Sequence, residues 1–506
     1  MDATEHRAII QLGPDDAEHW VNLGSALAER KRPSDAVLFF QRALTLAPRH
    51  LQAAWQCAVL LQELGRPEEA LFCFDLCDEL RPHHFPTVAS RALVLRDLKR
   101  FEQCLAGYEQ AYGLDPTSVE VCNNIGDALS LLGRFEEALQ WLDRALELRP
   151  SAIFVLESKA ALFKKMHRFD ETFATYDHIR SIDPGNAKAE FASAINSLLL
   201  GDYETGWKGR EARWRVPGLA KGVGWSGPEP LWLGEQDIGG KTILVYSDEG
   251  FGDAIQFARY VPMLAARGAR VVLMVPEPLH ALLSTAPGLS HCLPMSAATL
   301  PAVDVYCPIN SLPLAFKTKL ATIPLPVDLS PRVDLVTAWQ KRLGVRDRLR
   351  VGLVWSGRPT HPNDQSRSIA LQLLTRILDV DATFLSLQRD PRSDDKALLL
   401  GRADIVDLTE HLADFSETAA LVECLDLVIT VDTSVAHLAG TMGCPTWVLL
   451  PYTPDHRWLL DRDDSPWYPT VRLFRQGASR NYTEVIDRVR TELAAMASGY
   501  RSGAAS

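Results

Sequence analysis

From Trp20 onward, apolar residues recur at helical spacing, and the whole arrangement returns every 34 residues. Prolines mark the period at Pro48, Pro82, Pro116, Pro150 and Pro184. Trp20, Leu23, Gly24, Leu27, Ala36, Phe40 and Ala43 lead to the first of these, and Ile125, Gly126, Leu129, Ala138, Leu142 and Ala145 lead to Pro150. The small residues Gly24, Ala58, Ala92, Gly126 and Ala160 let two helices approach closely, and bulkier residues fill the space between them. Gly65 and Gly133, each followed by arginine, fall where a helix must stop, because glycine adopts the left-handed conformation at little cost. Each period therefore predicts a helical hairpin. One hairpin cannot bury its apolar stripe alone, so five are expected to stack into a superhelix with a long concave surface.

A helical pair repeating at this interval, with these residues, is the tetratricopeptide signature. One position of the first helix is polar throughout: Asn22, Gln56, Ser90, Asn124 and Ser158. Such a ladder is either a solvated face or an acceptor groove whose side chains bond the backbone of an extended peptide without reading its sequence. Residues 186–214 read as a partial sixth repeat or as helices capping the solenoid, which places the array at 1–214.

The period then disappears. Residues 215–240 are rich in glycine and proline and read as a linker. Beyond it, short apolar runs alternate with helical patterns at 242–246, 271–275, 303–307, 351–355, 383–387, 405–408, 427–431 and 447–450. Strands separated by helices imply right-handed βαβ units and parallel sheets. Some 250 residues exceed one small sheet, and a proline-rich stretch from Pro308 to Pro331 divides them, so two Rossmann-like halves are expected at 241–330 and 331–490. The remainder, 491–506, reads as a disordered tail. Ligands bind open α/β sheets at the carboxyl ends of strands, which points to a cleft between the halves.

Charge and composition narrow the chemistry. A net charge of −11 opposes general nucleic-acid binding, which needs clustered lysine and arginine. Nine cysteines are scattered without a Cys-x-x-Cys pair; Cys73 and Cys77 share a helix face, which fits core packing better than metal ligation, so no metal site is expected. No leader-like start and no apolar run long enough to span a bilayer is evident, which predicts a cytoplasmic protein. Dinucleotide, P-loop and nucleophile-elbow motifs are missing, which removes dehydrogenase, NTPase and esterase readings.

Three segments resemble bacterial tetratricopeptide-repeat glycosyltransferases with a heptosyltransferase-like catalytic region: Glu249-Gly-Phe-Gly-Asp253 with the following Ala-Ile-Gln-Phe-Ala-Arg-Tyr, Val351-Gly-Leu-Val-Trp-Ser-Gly-Arg358, and Val431-Asp-Thr-Ser-Val-Ala-His437. The resemblance implies a GT-B fold, a nucleotide-sugar donor used as substrate with no cofactor and no metal, and a protein acceptor, flagellin in some relatives. It also implies that the aspartate of the Gly-Asp turn, here Asp253, takes the acceptor proton; Glu249 is the reserve, and helix capping is the alternative role for Asp253.

The remaining candidates follow from position. Asp432, Thr433 and Ser434 open a helix directly after a buried strand, where free amides and the helix dipole suit a pyrophosphate, although any of them also suits a cap. His437 lies on the same helix face and is either a ligand contact or a packed histidine. Trp355, Ser356, Gly357 and Arg358 end a strand at a small-residue turn, with Arg367 as a second phosphate partner and Gln388 ending another strand. The loops at 454–458 and 464–469 either border the cleft or cross back to pack on the first half. The function expected is transfer of a sugar to a protein held in the repeat groove. The alternatives are a scaffold with an inactive transferase-like half, or a transferase acting on a lipid-linked glycan.

Overall fold

The structure is a computed structural model describing residues 15–219, 225–361 and 363–504, with side chains to 500. The chain divides into two compact bodies between Gly185 and Asn186.

The first body is a run of helical hairpins. Its first helices are Ala17–Glu29, Leu51–Glu63, Phe85–Asp97, Val119–Leu131 and Ile153–Lys165; the second helices are Pro33–Leu46, Pro67–Leu80, Phe101–Leu114, Phe135–Leu148 and Phe169–Ile182. The close approach expected at the small positions is real. A Cβ built on Gly24 would stand 2.9 Å from the Phe40 ring, and one on Gly126 would stand 2.9 Å from Leu142. The turn between paired helices holds a left-handed residue each time: Lys31, Gly65, Lys99, Gly133 and His167. Glycine fills it only twice, because the Lys99 amide still bonds the Arg96 carbonyl and the next amide, from Arg100, bonds that of Leu95. These two bonds close the helix end with either residue type.

A sixth first helix, Ala187–Leu199, keeps the phase of the repeat, followed by Tyr203–Arg210. The array ends earlier than expected, however. These helices, read as the cap of the solenoid within 1–214, belong to the second body, where Leu198, Tyr203 and Trp207 enter the main hydrophobic core. Three large apolar side chains outweigh the repeat phase that continues through them.

The second body holds two parallel sheets. β1 (Thr242–Tyr246), β2 (Arg270–Val275), β3 (Leu289–Pro294) and β4 (Val305–Pro308) assemble in the order β3-β2-β1-β4. β5 (Leu349–Val354), β6 (Ala382–Ser386), β7 (Ile405–Asp407), β8 (Leu427–Val431), β9 (Thr446–Leu450) and β10 (Val471–Arg475) assemble as β10-β9-β8-β5-β6-β7. All neighbouring strands are parallel. β1, β5, β8 and β9 are buried along their whole length, as strands covered on both faces must be.

Two further boundaries differ from expectation. Part of the supposed linker packs along β4: Trp232 is buried, and its amide donates to the Tyr306 carbonyl at 2.8 Å. Residues 220–224 of that linker lie outside the described residues. As far as Ala504 the supposed disordered tail is instead helical, since Tyr482–Ala504 forms one helix that buries Val485, Ile486, Val489, Leu493 and Ala497 against the second sheet. Its apolar residues return at helical spacing, which gives the segment a face to bury.

Candidate functional site

The carboxyl ends of strands from both sheets meet at one place. The helix Phe251–Phe257, which follows β1, lies against Ser434–Thr441, which follows β8; a Cβ on Gly252 would stand 2.6 Å from His437 Cδ2. Around this contact sit the ends of β1, β4, β5, β8 and β9, where ligands of α/β folds bind.

On the first-sheet side are three carboxylates. Asp248 is structural: its Oδ1 accepts from the Asn310 amide at 3.1 Å and from Asn310 Nδ2 at 2.8 Å, and its Oδ2 accepts from the buried Arg213 at 3.0 and 3.2 Å. Asp253 is engaged at both oxygens. One accepts from the Gly250 amide at 3.0 Å and caps its own helix; the other pairs with Arg457 Nη2 from the loop after β9. Burial would raise its pKa, but Arg457 and then Arg210 hold it below the ordinary aspartate value. The capping alternative is thus realised together with a salt bridge. Glu249 differs. Its Oε2 accepts from Arg210 Nη2 at 2.7 Å, its Oε1 lies 3.8 Å from Arg213 Nε, and its side chain is 33% exposed against 12% for Asp253. Burial raises its pKa, Arg210 opposes that, and Asp253 and Asp248 reinforce it.

On the second-sheet side, Thr433 stands at the helix N-cap with its hydroxyl turned to Thr430 Oγ1 at 3.1 Å, and its side chain does not cap Ser434–Thr441. Thr433 and Ser434 are half-buried at this open end. Arg367 crosses Gly357, where a Cβ would overlap its guanidinium, and donates to the Asp432 carbonyl at 3.0 Å; its Nε is buried without a partner among the described residues. Ser356 Oγ is likewise buried and has no hydrogen-bond partner among the described residues. Arg358 is exposed, with its guanidinium 6.0 Å from the Phe251 ring centre. The Asp432 carboxyl is pushed up to about 6 by burial and then by Asp455.

Other expected contacts are used by the fold. Trp355 is fully buried, and its indole donates to Asp395 at 3.0 Å. Gln388 spends its Oε1 on the amides of Trp355 and Ser356, at 3.2 and 3.0 Å, and so shapes the turn rather than facing a ligand. His437 is the packed histidine of the two alternatives: its Nδ1 is 2.8 Å from the Tyr468 hydroxyl, its ring stacks on Trp458, and its pKa is pushed down to about 3 by burial and then by Arg457. The segment 454–469 does cross back. Trp467 joins the first sheet's core, its indole donates to Tyr203 at 3.0 Å, and its carbonyl accepts from Arg259 at 3.0 Å. The same segment delivers Arg457 and Asp455 to the cluster. Sequence reasoning saw its charge and aromaticity but not its partners, which lie some 200 positions away. Arg210 and Arg213, from the helices read as a cap, were missed for the same reason.

In the first body, Asn22 is exposed, whereas Gln56, Ser90, Asn124 and Ser158 are half-buried. Ser158 donates to Asp127 at 3.5 Å, and the neighbouring Asn123 donates to the same carboxylate oxygen at 3.2 Å.

Models of the tetratricopeptide repeat match residues 3–50, 51–84 and 119–152. The first part of this chain carries tetratricopeptide repeats. They support a role in protein interaction. Protein FlbA of Caulobacter vibrioides is 25% identical over 339 residues, covering 61% of this chain and 55% of its own length, so the chain spans about half of that curated relative. Among solved structures, MamA from Desulfovibrio magneticus RS-1 is 20% identical, covering 34% of this chain and 94% of that one with a TM-score of 0.31. YrrB, described as a TPR protein with an unusual peptide-binding site, is 18% identical over 37% of this chain and 96% of that one, TM-score 0.32. No helix among the described residues is long and apolar enough to cross a membrane.

Proposed function

We infer that the second body is a nucleotide-sugar-dependent glycosyltransferase of GT-B type and that the repeats hold its protein acceptor. The observation that carries this reading is the meeting of two parallel sheets at their carboxyl ends, with anion-binding groups on one side and carboxylates on the other. The open helix end at Thr433 and Ser434, the arginines 358 and 367, and the Ser356 hydroxyl, unpartnered among the described residues, suit a pyrophosphate. The carboxylates of the β1 turn suit removal of the acceptor's proton. The polar ladder from Asn22 to Ser158 suits the backbone of an extended segment such as one of flagellin.

Thermal unfolding of the full chain against UDP, GDP, ADP and CMP tests the donor site. A nucleotide at 100 times its Kd should add about 2.7 kcal/mol, and Arg367→Ala should remove the shift. No shift with any of the four would overturn the donor assignment.

The second reading is a scaffold whose transferase-like half has no turnover; it is favoured by the use of Asp253, Gln388 and His437 within the fold. Under it, Arg367→Ala leaves the cellular role intact. Transfer to a lipid-linked glycan is distinguished by removing residues 1–184, which then leaves transfer undiminished.

A further inference from the structure

We propose that Glu249, rather than Asp253, is the side chain that takes the proton from the acceptor hydroxyl. The proposal rests on the transferase reading above and deepens it.

The three carboxylates of the β1 turn have one role to fill between them, and their partners sort them. Asp248 is held by Asn310 and Arg213 through both oxygens. Asp253 is held through both oxygens as well, by the Gly250 amide and Arg457. Each oxygen of Asp253 therefore already accepts a bond inside a buried cluster, which leaves less room at either one for an acceptor hydroxyl. Glu249 accepts a hydrogen bond through Oε2, from Arg210, itself anchored on Asn310 Oδ1 at 3.1 Å, and its Oε1 has the longer ion pair with Arg213. Its Oε1 accepts no hydrogen bond among the described residues and belongs to the most exposed of the three side chains. A base needs a fixed position and an oxygen open to an incoming hydroxyl, and Glu249 combines a fixed Oε2 with the greatest exposure of the three.

Electrostatics agrees with geometry. The groups facing Glu249 are Arg210 and Arg213 from the helices before the first sheet, Asp248 and Asp253 from its own turn, and Arg457 from the loop after β9. With burial they leave it more basic than an ordinary glutamate, whereas Asp253 is less basic than an ordinary aspartate.

In the step, the acceptor oxygen bonds to the anomeric carbon while that carbon's bond to the donor phosphate oxygen breaks. The acceptor proton passes to Glu249 Oε1, and the nucleotide leaves with the electron pair.

The test uses the full chain with UDP-N-acetylglucosamine, UDP-glucose, GDP-mannose, ADP-glucose and CMP-N-acetylneuraminate, following nucleotide release with water as acceptor from pH 5 to 9. Glu249→Gln should lower turnover about 100-fold or more, leave the nucleotide-induced thermal shift unchanged and abolish the acid limb of the rate profile. Glu249→Ala should regain at least tenfold with added formate, which a purely structural role would not allow. Turnover of Glu249→Gln within threefold of the parent, or formate rescue of Asp253→Ala but not of Glu249→Ala, overturns the assignment while leaving the transferase reading in place. A parent protein that binds nucleotide yet releases none from any donor overturns both.

Discussion

His437 shows how much one side chain's surroundings decide. A histidine three residues into a helix after Ser434 is more often packed than a ligand contact, and the sequence leaves both readings open. Stacked on Trp458 and bonded to Tyr468, it is held neutral, with its pKa pushed down to about 3 by burial and by Arg457. The unfolded chain binds a proton below about pH 6.5 that the native state refuses until about pH 3, so stability present above pH 6.5 is lost as the pH falls through that window. At pH 5 this one residue should cost the second body about 2 kcal/mol. Urea unfolding of the parent and of His437→Gln at pH 5 and pH 8 measures it. The variant's stability should change less between the two pH values, and an equal change in both proteins would refute the assignment. Trp355 and Gln388 make the same point: each ends a strand where a ligand contact is natural, yet Asp395 and two backbone amides claim them.

Among elements, the turn of each hairpin separates what periodicity can reveal from what it cannot. The 34-residue interval locates every turn of the first body, but glycine announces only two of those five. Lys31, Lys99 and His167 hold the same left-handed backbone at φ of 58°, 60° and 57°, a conformation that crowds their Cβ atoms. Lys99→Gly should therefore stabilise the first body by about 0.5–1 kcal/mol, the relief of strain exceeding the added chain entropy of glycine. Chemical denaturation followed by helical circular dichroism checks it; destabilisation would mean that the lysine side chain contributes more than the strain costs. Among strands, the two that escape the hydrophobic pattern are β3 and β10, both at sheet edges. β3 buries no residue fully and β10 leaves Arg472 exposed, so neither forms the continuous apolar run that betrays a covered strand.

For the whole molecule, the decisive group is Arg457, which reaches from the loop after β9 to Asp253 and Gln256 on the helix after β1. Both partners of its ion pair are largely buried, so removing one strands a charge. Arg457→Ala should lower the stability of the second body by about 3–5 kcal/mol, and Asp253→Asn should be far milder in that background than alone. A double-mutant cycle with no coupling would show that the pair does not join the two sheets. The sequence by itself determined the repeat, the parallel strands and the placing of candidate groups at strand ends, because periodicity, run length and turn chemistry are local. Only the tertiary structure decided that the sixth hairpin joins the second body and that 482–504 packs as a helix. It also decided that Arg210, Arg213 and Arg457 apportion the carboxylates of the β1 turn. Burial and charge pairing depend on which distant segments meet, and no local pattern around Glu249 or Asp253 records the arginine that each will face.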